Sequence, residues 1–176
     1  MEVILIRHTS VDVPPGTCYG HSDVPLKDSF PAEAAATKAL LEGCGAVDAA
    51  YTSPLGRCTR LAAFCGWPDA TRDTRLMEIN FGEWEMQRFS EIRDPRIQEW
   101  YADYLNVAAT GGESFMMLYK RVSAFMEELR KGPLQRVAVF AHGGSILCAQ
   151  VWAGLFPATD AFNHQTPHGG LTSINI

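Results

Sequence analysis

Two short runs of apolar residues, each ending at a histidine, constrain most strongly what this chain can fold into. Val3–Ile6 is uninterrupted in apolar side chains and leads into Arg7 and His8, and Val137–Ala141 leads directly into His142. Continuous apolar runs of this length are typical of strands buried on both faces in a parallel sheet. Because ligands bind at the carboxyl ends of such strands, we expect the two histidines to meet in one crevice.

Strand and helix patterns alternate along the rest of the chain. Strands separated by helices indicate an α/β protein, and we expect a three-layer α/β/α sandwich with a mixed, mostly parallel central sheet. With 176 residues, the whole chain, 1–176, is expected to form a single domain. We predict strands at 2–6, 47–52, 136–141 and 172–176. Helices are expected at 31–41, 113–130 and 145–152, and a further one from a Ser53-Pro54 cap to Gly66. Residues 12–29 and 155–171 are expected to form loops.

Composition excludes several classes of partner. The formal net charge of −5 argues against nucleic acid, because binding a phosphate backbone requires a basic face. No apolar stretch approaches the roughly 20 residues needed to cross a bilayer, so no membrane association is expected. The start of the chain lacks signal-peptide features, and the five cysteines include no Cys-x-x-Cys pair. We therefore expect reduced thiols, no metal site and a cytoplasmic location.

A histidine beside arginine at a strand end is suited to phosphoryl transfer. A neutral imidazole nitrogen can attack phosphorus without a separate base, arginines stabilise the phosphoryl oxygens, and a carboxylic acid protonates the leaving group. We predict that His8 is the nucleophile, Arg7 its adjacent clamp and His142 a second donor to phosphate. The expected partner is accordingly a small phosphorylated substrate.

The second arginine and the acid each have competitors. Arg57 lies early in the second predicted helix, near the positive end that favours anions, and Arg60 one turn later is the alternative. Glu78 precedes an aromatic Phe-Gly-Glu-Trp segment and is favoured as the acid, with Glu83 and Glu85 as alternatives. The roles of two further groups of residues stay open. The first group is aromatic and could stack on a substrate base or form part of the core: Phe81, Trp84, Trp100, Tyr101 and Tyr104. The second group consists of loop histidines that could reach the rim of the pocket: His21, His164 and His168.

Four motifs in order along the chain resemble those of the histidine phosphatase superfamily, the phosphoglycerate-mutase-like phosphatases. They are Leu5-Ile6-Arg7-His8, Thr52–Cys58, Leu76–Glu85 and Ala141–Gly144. The resemblance implies a phosphomonoesterase in which His8 is phosphorylated and Glu78 is first the proton donor and then the base for water. It also implies that Arg7, Arg57 and His142 form the phosphate pocket, and that neither metal nor cofactor is required.

One subgroup of that superfamily is especially similar. The loop Gly16–Leu26 and Thr9 resemble the α-ribazole phosphatases of cobalamin assembly, which implies hydrolysis of α-ribazole 5′-phosphate, a benzimidazole ribonucleotide. Ser10 and Gly143, which closely follow the two histidines, complete the predicted substrate-binding set. Two alternatives stay open: a phosphatase of broad specificity for sugar phosphates and nucleotides, and a catalytically inactive module that binds phosphorylated ligands.

Overall fold

The computed structural model, which describes all residues from Met1 to Ile176, contains five strands and five α-helices, which alternate along the chain except that the third and fourth helices follow one another. Short 3-10 turns fill much of the connection between the second and third helices. The strands are β1 (Glu2–Arg7), β2 (Ala49–Thr52), β3 (Thr71–Arg72), β4 (Arg136–Ala141) and β5 (Leu171–Asn175), and the helices are α1 (Phe30–Gly43), α2 (Gly56–Phe64), α3 (Arg96–Ala102), α4 (Phe115–Arg130) and α5 (Gly143–Trp152).

The strands form one sheet in the order β3-β2-β4-β1-β5. All neighbours are parallel except β5, which runs antiparallel to β1, so the expectation of a mixed, mostly parallel sheet is confirmed. Pairing continues beyond the carboxyl ends of the central strands. The His8 amide donates to the Ala141 carbonyl at 3.1 Å, and the Ser53 amide donates to the Phe140 carbonyl at 2.9 Å. These bonds bring the ends of β1, β2 and β4 to one edge.

Alternate side chains of the central strands are buried on opposite faces of the sheet. Ile4, Ile6 and Phe140 pack with residues of α1 and α2, whereas Leu5 and Val139 pack with residues of α4 and α5. The continuous apolar runs are therefore explained by burial on both faces, and the three-layer arrangement is confirmed. No helix combines the length and apolar character that a membrane crossing requires. All five cysteines are free thiols.

The prediction that Ser53 caps the second helix is wrong. The helix begins at Gly56, and its first amide donates to both carboxylate oxygens of Asp23 at 3.1 Å. The Ser53 hydroxyl is fully buried and lies 2.8 Å from Nε2 of His142. The Ser53 hydroxyl therefore binds His142, a residue distant in sequence, instead of capping the helix.

Two short elements were missed, and one helix starts earlier than expected. The two-residue strand β3 and the seven-residue helix α3 carry too few residues to show a period. Helix α5 begins at Gly143 instead of residue 145, with His142 at its N-cap and the Ser145 hydroxyl accepting from the His142 amide at 3.1 Å.

Candidate active site

His8 lies at the end of β1 with one ring nitrogen fixed by the backbone. Its Nδ1 is 2.7 Å from the Thr9 carbonyl, which can only accept, so Nδ1 carries the proton and Nε2 keeps its lone pair. The side chain is only 2% exposed. Burial, and then the positive charge of Arg57, hold the pKa of His8 well below its ordinary value of about 6.5. The imidazole is therefore neutral and oriented, as a nucleophile must be.

Arg57 extends from the first turn of α2 into the interior and is 1% exposed. Its guanidinium donates to the Gly20 carbonyl at 2.6 Å, to the Ser22 carbonyl at 2.8 Å and to Nδ1 of His142 at 3.2 Å. All three acceptors are neutral. A buried cation without a carboxylate partner is costly, and a bound anion would compensate its charge.

Arg7 provides a second cation at the same edge of the sheet. Its Nη1 donates to the Thr166 carbonyl at 2.7 Å, and its Nε is buried without a hydrogen-bond partner. Neither Arg7 nor Arg57 forms an ion pair with a carboxylate anywhere in the chain. A half-buried and a buried guanidinium beside a neutral histidine are suited to bind an anion, and phosphate oxygens suit the donor geometry of arginine.

His142 lies behind His8, with 5.2 Å between the ring centroids. Because Arg57 donates to Nδ1, the ring proton lies on Nε2, which donates to the Ser53 hydroxyl. Burial, and then the charge of Arg57, hold the pKa of His142 well below 6.5. In this arrangement both ring nitrogens have protein partners and His142 orients Arg57, so its predicted role as a direct donor to phosphate stays a prediction.

Of the three competing glutamates, Glu78 alone lines the cavity beside His8. Its carboxylate accepts from the Gly144 amide at 3.0 Å and from the Ile79 amide at 2.9 Å. A Cβ at position 144 would lie 2.3 Å from a Glu78 carboxylate oxygen, so any side chain there would displace the carboxylate from this position. Glu83 is exposed. Glu85 instead accepts from four backbone amides, those of Gly20, His21, Ser22 and Phe81.

A cavity of about 310 Å³ opens beside His8 and is walled mainly by aromatic and aliphatic side chains. Arg7 is the only arginine or lysine on its wall. Of these aromatic residues, Phe81, Trp100 and Tyr104 were predicted as candidates for stacking, whereas Phe89, Phe115 and Phe162 were not. Trp84 instead lies in the core, and Tyr101 is exposed. The wall is formed by Arg7, His8, Thr17, Tyr19, Glu78, Ile79, Phe81, Phe89, Trp100, Tyr104, Phe115, Leu118, Gly143, Gly144, Phe162 and Gln165.

The remaining predicted residues differ in how near they lie to this cavity. Gly143 is on the wall, where a Cβ would come within 3.3 Å of the Arg7 guanidinium. Ser10 is not on the wall, and its backbone amide donates to Glu33 at 2.8 Å. Thr9 is fully buried. Among the loop histidines, His168 approaches the nucleophile, with its ring centroid 5.3 Å from that of His8.

The buried neutral histidines predict how stability depends on pH. In the unfolded chain His8 and His142 take up protons near pH 6.5, whereas in the fold their lowered pKa values resist protonation. The unfolded state then binds more protons, so the free energy of unfolding should fall as pH drops from 7 to 5. Calorimetric melting temperatures at the two pH values check this, and His142→Asn should reduce the difference. A melting temperature that stays constant or rises toward pH 5 would contradict the assigned neutral state.

No group of three histidine, cysteine, aspartate or glutamate side chains is arranged to hold a metal ion. The profile of the histidine phosphatase superfamily (branch 1) matches residues 3–176. Phosphoserine phosphatase 1 of Hydrogenobacter thermophilus is 29% identical over 152 residues, which cover 81% of this chain and 71% of that protein.

Solved structures share the whole fold. The alpha-ribazole phosphatase of Shigella flexneri superposes with a TM-score of 0.90 at 23% identity, covering all of this chain and 91% of that one. A candidate alpha-ribazole-5′-P phosphatase of Escherichia coli K-12 superposes with a TM-score of 0.88 at 25% identity, covering 98% and 89%. With a family profile matched over nearly its entire length, the chain belongs to the histidine phosphatase superfamily.

Proposed function

We propose that this protein is a metal-independent phosphomonoesterase that forms a phosphohistidine on His8 and hydrolyses α-ribazole 5′-phosphate to α-ribazole. The observation that carries the proposal is a pair of guanidiniums, the half-buried Arg7 and the buried Arg57, which lack carboxylate partners beside a neutral His8. The aromatic cavity that adjoins them supports the choice of substrate.

In the first step Nε2 of His8 attacks phosphorus and forms an N–P bond while the P–O bond to the leaving group breaks. Arg7 donates to the phosphoryl oxygens, and the charge of Arg57 behind His8 stabilises the transferring group. The leaving oxygen takes its proton from the Glu78 carboxyl, so the alcohol departs neutral. The products of this step are phosphorylated His8 and ionised Glu78.

In the second step water replaces the alcohol. Ionised Glu78 takes one proton from the water molecule, whose oxygen forms a new bond to phosphorus as the N–P bond breaks. His8 returns to its neutral form with Nδ1 still bonded to the Thr9 carbonyl, and Glu78 is protonated again. Inorganic phosphate leaves, and atoms and charge balance over the cycle.

The cavity wall favours a leaving group with a flat, uncharged part. Aromatic side chains can stack on a heteroaromatic base, and the wall carries no lysine and no arginine other than Arg7. The carboxylate of a substrate such as phosphoserine would therefore lack a cationic partner once Arg7 binds the phosphoryl group. A benzimidazole nucleoside has the shape and polarity that this wall accepts, and structural relatives with ribazole phosphatase names support the same choice.

The proposal is tested by comparing kcat/KM for α-ribazole 5′-phosphate, O-phosphoserine and a set of sugar phosphates and nucleotides. We expect α-ribazole 5′-phosphate to be the best substrate and activity to survive exhaustive chelation. Equal kcat/KM values across the set would favour broad specificity. Stoichiometric binding without release of phosphate would favour a binding module, and loss of activity on chelation would contradict metal independence.

Phe162 offers a direct test of the aromatic wall. It is 47% exposed at the cavity, with its ring 4.8 Å from that of Tyr104, so its removal should cost little folding stability. If it stacks on the base, Phe162→Ala should lower kcat/KM for α-ribazole 5′-phosphate about 5- to 100-fold, the range expected for one stacked base. Turnover of a small alkyl phosphate should be unchanged.

The matched control is Phe64→Ala. Phe64 is similarly exposed, at 39%, but it ends α2 and packs against Phe30, away from the cavity wall. This variant should leave kcat/KM for both esters unchanged. Equal losses for the two esters in Phe162→Ala would argue against base stacking at this residue.

A further inference from the structure

The backbone that carries Glu78 depends on an arginine from another element. Residues 77–81 lie between two 3-10 turns and belong to no helix or strand, so their carbonyls need partners from elsewhere. Arg121 on α4 supplies partners at the start of this segment. Its Nη1 donates to the carbonyls of Arg75 at 2.8 Å and Met77 at 2.6 Å, and its Nη2 donates to the carbonyl of Glu78 itself at 2.7 Å.

Glu113 fixes this arginine and also binds the far side of the same segment. Its carboxylate accepts from Nε and Nη2 of Arg121 at 2.9 and 2.8 Å, a two-point contact that sets the plane of the guanidinium. The same carboxylate accepts from the Asn80 amide at 2.9 Å, and the Glu113 amide donates to the Asn80 carbonyl at 2.7 Å. The backbone is thus held on both sides of Glu78.

The Glu78 side chain has a third fixed point on α5, where the Gly144 amide donates to its carboxylate. We infer that Arg121 and Glu113 are positioning residues for Glu78, holding its carboxyl where the leaving oxygen must receive a proton. Proton transfer in the transition state depends on placement to within a fraction of an ångström, so loosening this backbone should impair general-acid catalysis selectively. The inference rests on the proposed function, in which Glu78 is the acid.

Arg75 is a matched control on the same segment. It also pairs with α4, donating to Glu128 at 2.8 Å, and it donates to Asp73 at 2.6 Å. Its guanidinium donates to carboxylates only, lies 5.4 Å from the centroid of the Phe125 ring and donates to no backbone carbonyl. Its removal therefore takes away an ion pair between the segment and α4 but leaves the three carbonyl contacts of Arg121 intact.

The experiment compares Arg121→Met, Arg121→Lys, Glu113→Gln and Arg75→Met with the full-length parent. For each, kcat/KM is measured on a series of phosphate esters from nitrophenyl to simple alkyl leaving groups. We expect kcat/KM of both Arg121 variants to fall about 10- to 1000-fold on the alkyl ester and less than about threefold on the nitrophenyl ester. The dependence of kcat/KM on the leaving group would then approach that of Glu78→Gln. Lysine keeps the charge but cannot span three carbonyls, so it should not rescue. Glu113→Gln should show the same trend, and Arg75→Met should match the parent.

Equal losses on all esters, with a lowered melting temperature, would mean that Arg121 only stabilises the fold and would overturn the inference. Rescue by Arg121→Lys would also overturn it, since charge alone would then suffice. If Arg121→Met does not fold, Arg121→Lys and Glu113→Gln give the same comparison. A parent protein with no phosphatase activity would overturn the proposed function, and the inference with it. An active parent whose Arg121 variants keep its leaving-group dependence would overturn the inference alone.

Discussion

Replacing His8 with alanine is expected to abolish phosphatase turnover, with a loss of about 10⁴-fold or more on every ester, activated or not. The size of the effect follows from the structure, because no other imidazole can take over. His142 has both ring nitrogens bonded to Arg57 and Ser53. Nε2 of His8 alone combines a free lone pair with a place on the cavity wall beside Arg7.

The measurement combines steady-state turnover of an aryl phosphate with an alkaline, denaturing quench of enzyme incubated with phosphoryl-labelled substrate. The parent should yield an acid-labile phosphohistidine, and His8→Ala should yield none. The control is His164→Ala, because His164 is an exposed loop histidine paired with Asp160 at 2.8 Å and is not on the cavity wall. Retained labelling in His8→Ala would place the covalent intermediate on another residue.

The sheet and its neighbouring histidines could be predicted because their causes are local. Val3–Ile6 and Val137–Ala141 are apolar at every position, a pattern typical of strands covered on both faces. Once both strands run parallel and adjacent, chain geometry alone brings His8 and His142 to one edge. Helix α4 was predicted for a similar reason, because its apolar side chains recur with helical spacing.

Details that depend on long-range partners could not be predicted. Ser53-Pro54 has the local chemistry of a helix start, but the Ser53 hydroxyl binds His142, which is far away in sequence. The sequence also does not show that Asp23 caps α2 instead. Likewise, the sequence favoured Glu78 but left Glu83 and Glu85 as alternatives, because the choice depends on which carboxylate faces the cavity. That is determined by the contacts of Arg121 and Gly144 with the segment around Glu78.

The aromatic wall of the cavity could also be predicted only in part. Phe115 has the spacing of a helix residue that packs in the core, and the structure places it there. It also lines the cavity, because the first turn of α4 adjoins the site. Phe162 lies in a segment that reads as loop, and a 3-10 turn brings it to the cavity. A periodic pattern identifies which side chains are buried but does not distinguish packing against protein from packing against a ligand.

Glu78→Gln is expected to have the second largest effect, and its size should depend on the ester. The amide keeps the shape, but its single acceptor oxygen can retain only one of the contacts with the Gly144 and Ile79 amides, and it cannot give up a proton to the leaving oxygen. For an alkyl phosphate, whose alkoxide is a poor leaving group, kcat/KM should fall by roughly 10² to 10⁴-fold. For a nitrophenyl phosphate the phenolate leaves without protonation, so the loss should be small.

Glu83 and Glu85 provide the controls because they compete for the same role in sequence but differ in structure. Glu83 is exposed, so Glu83→Gln should leave both esters unaffected. Glu85 binds four backbone amides, including those of Gly20 and Ser22, whose carbonyls hold Arg57. Glu85→Gln should therefore lower the melting temperature and slow both esters alike. If Glu78→Gln also slowed both esters alike, the proton donor would have to be another group. The dependence of kcat/KM on the leaving group in Glu83→Gln would then identify or exclude Glu83.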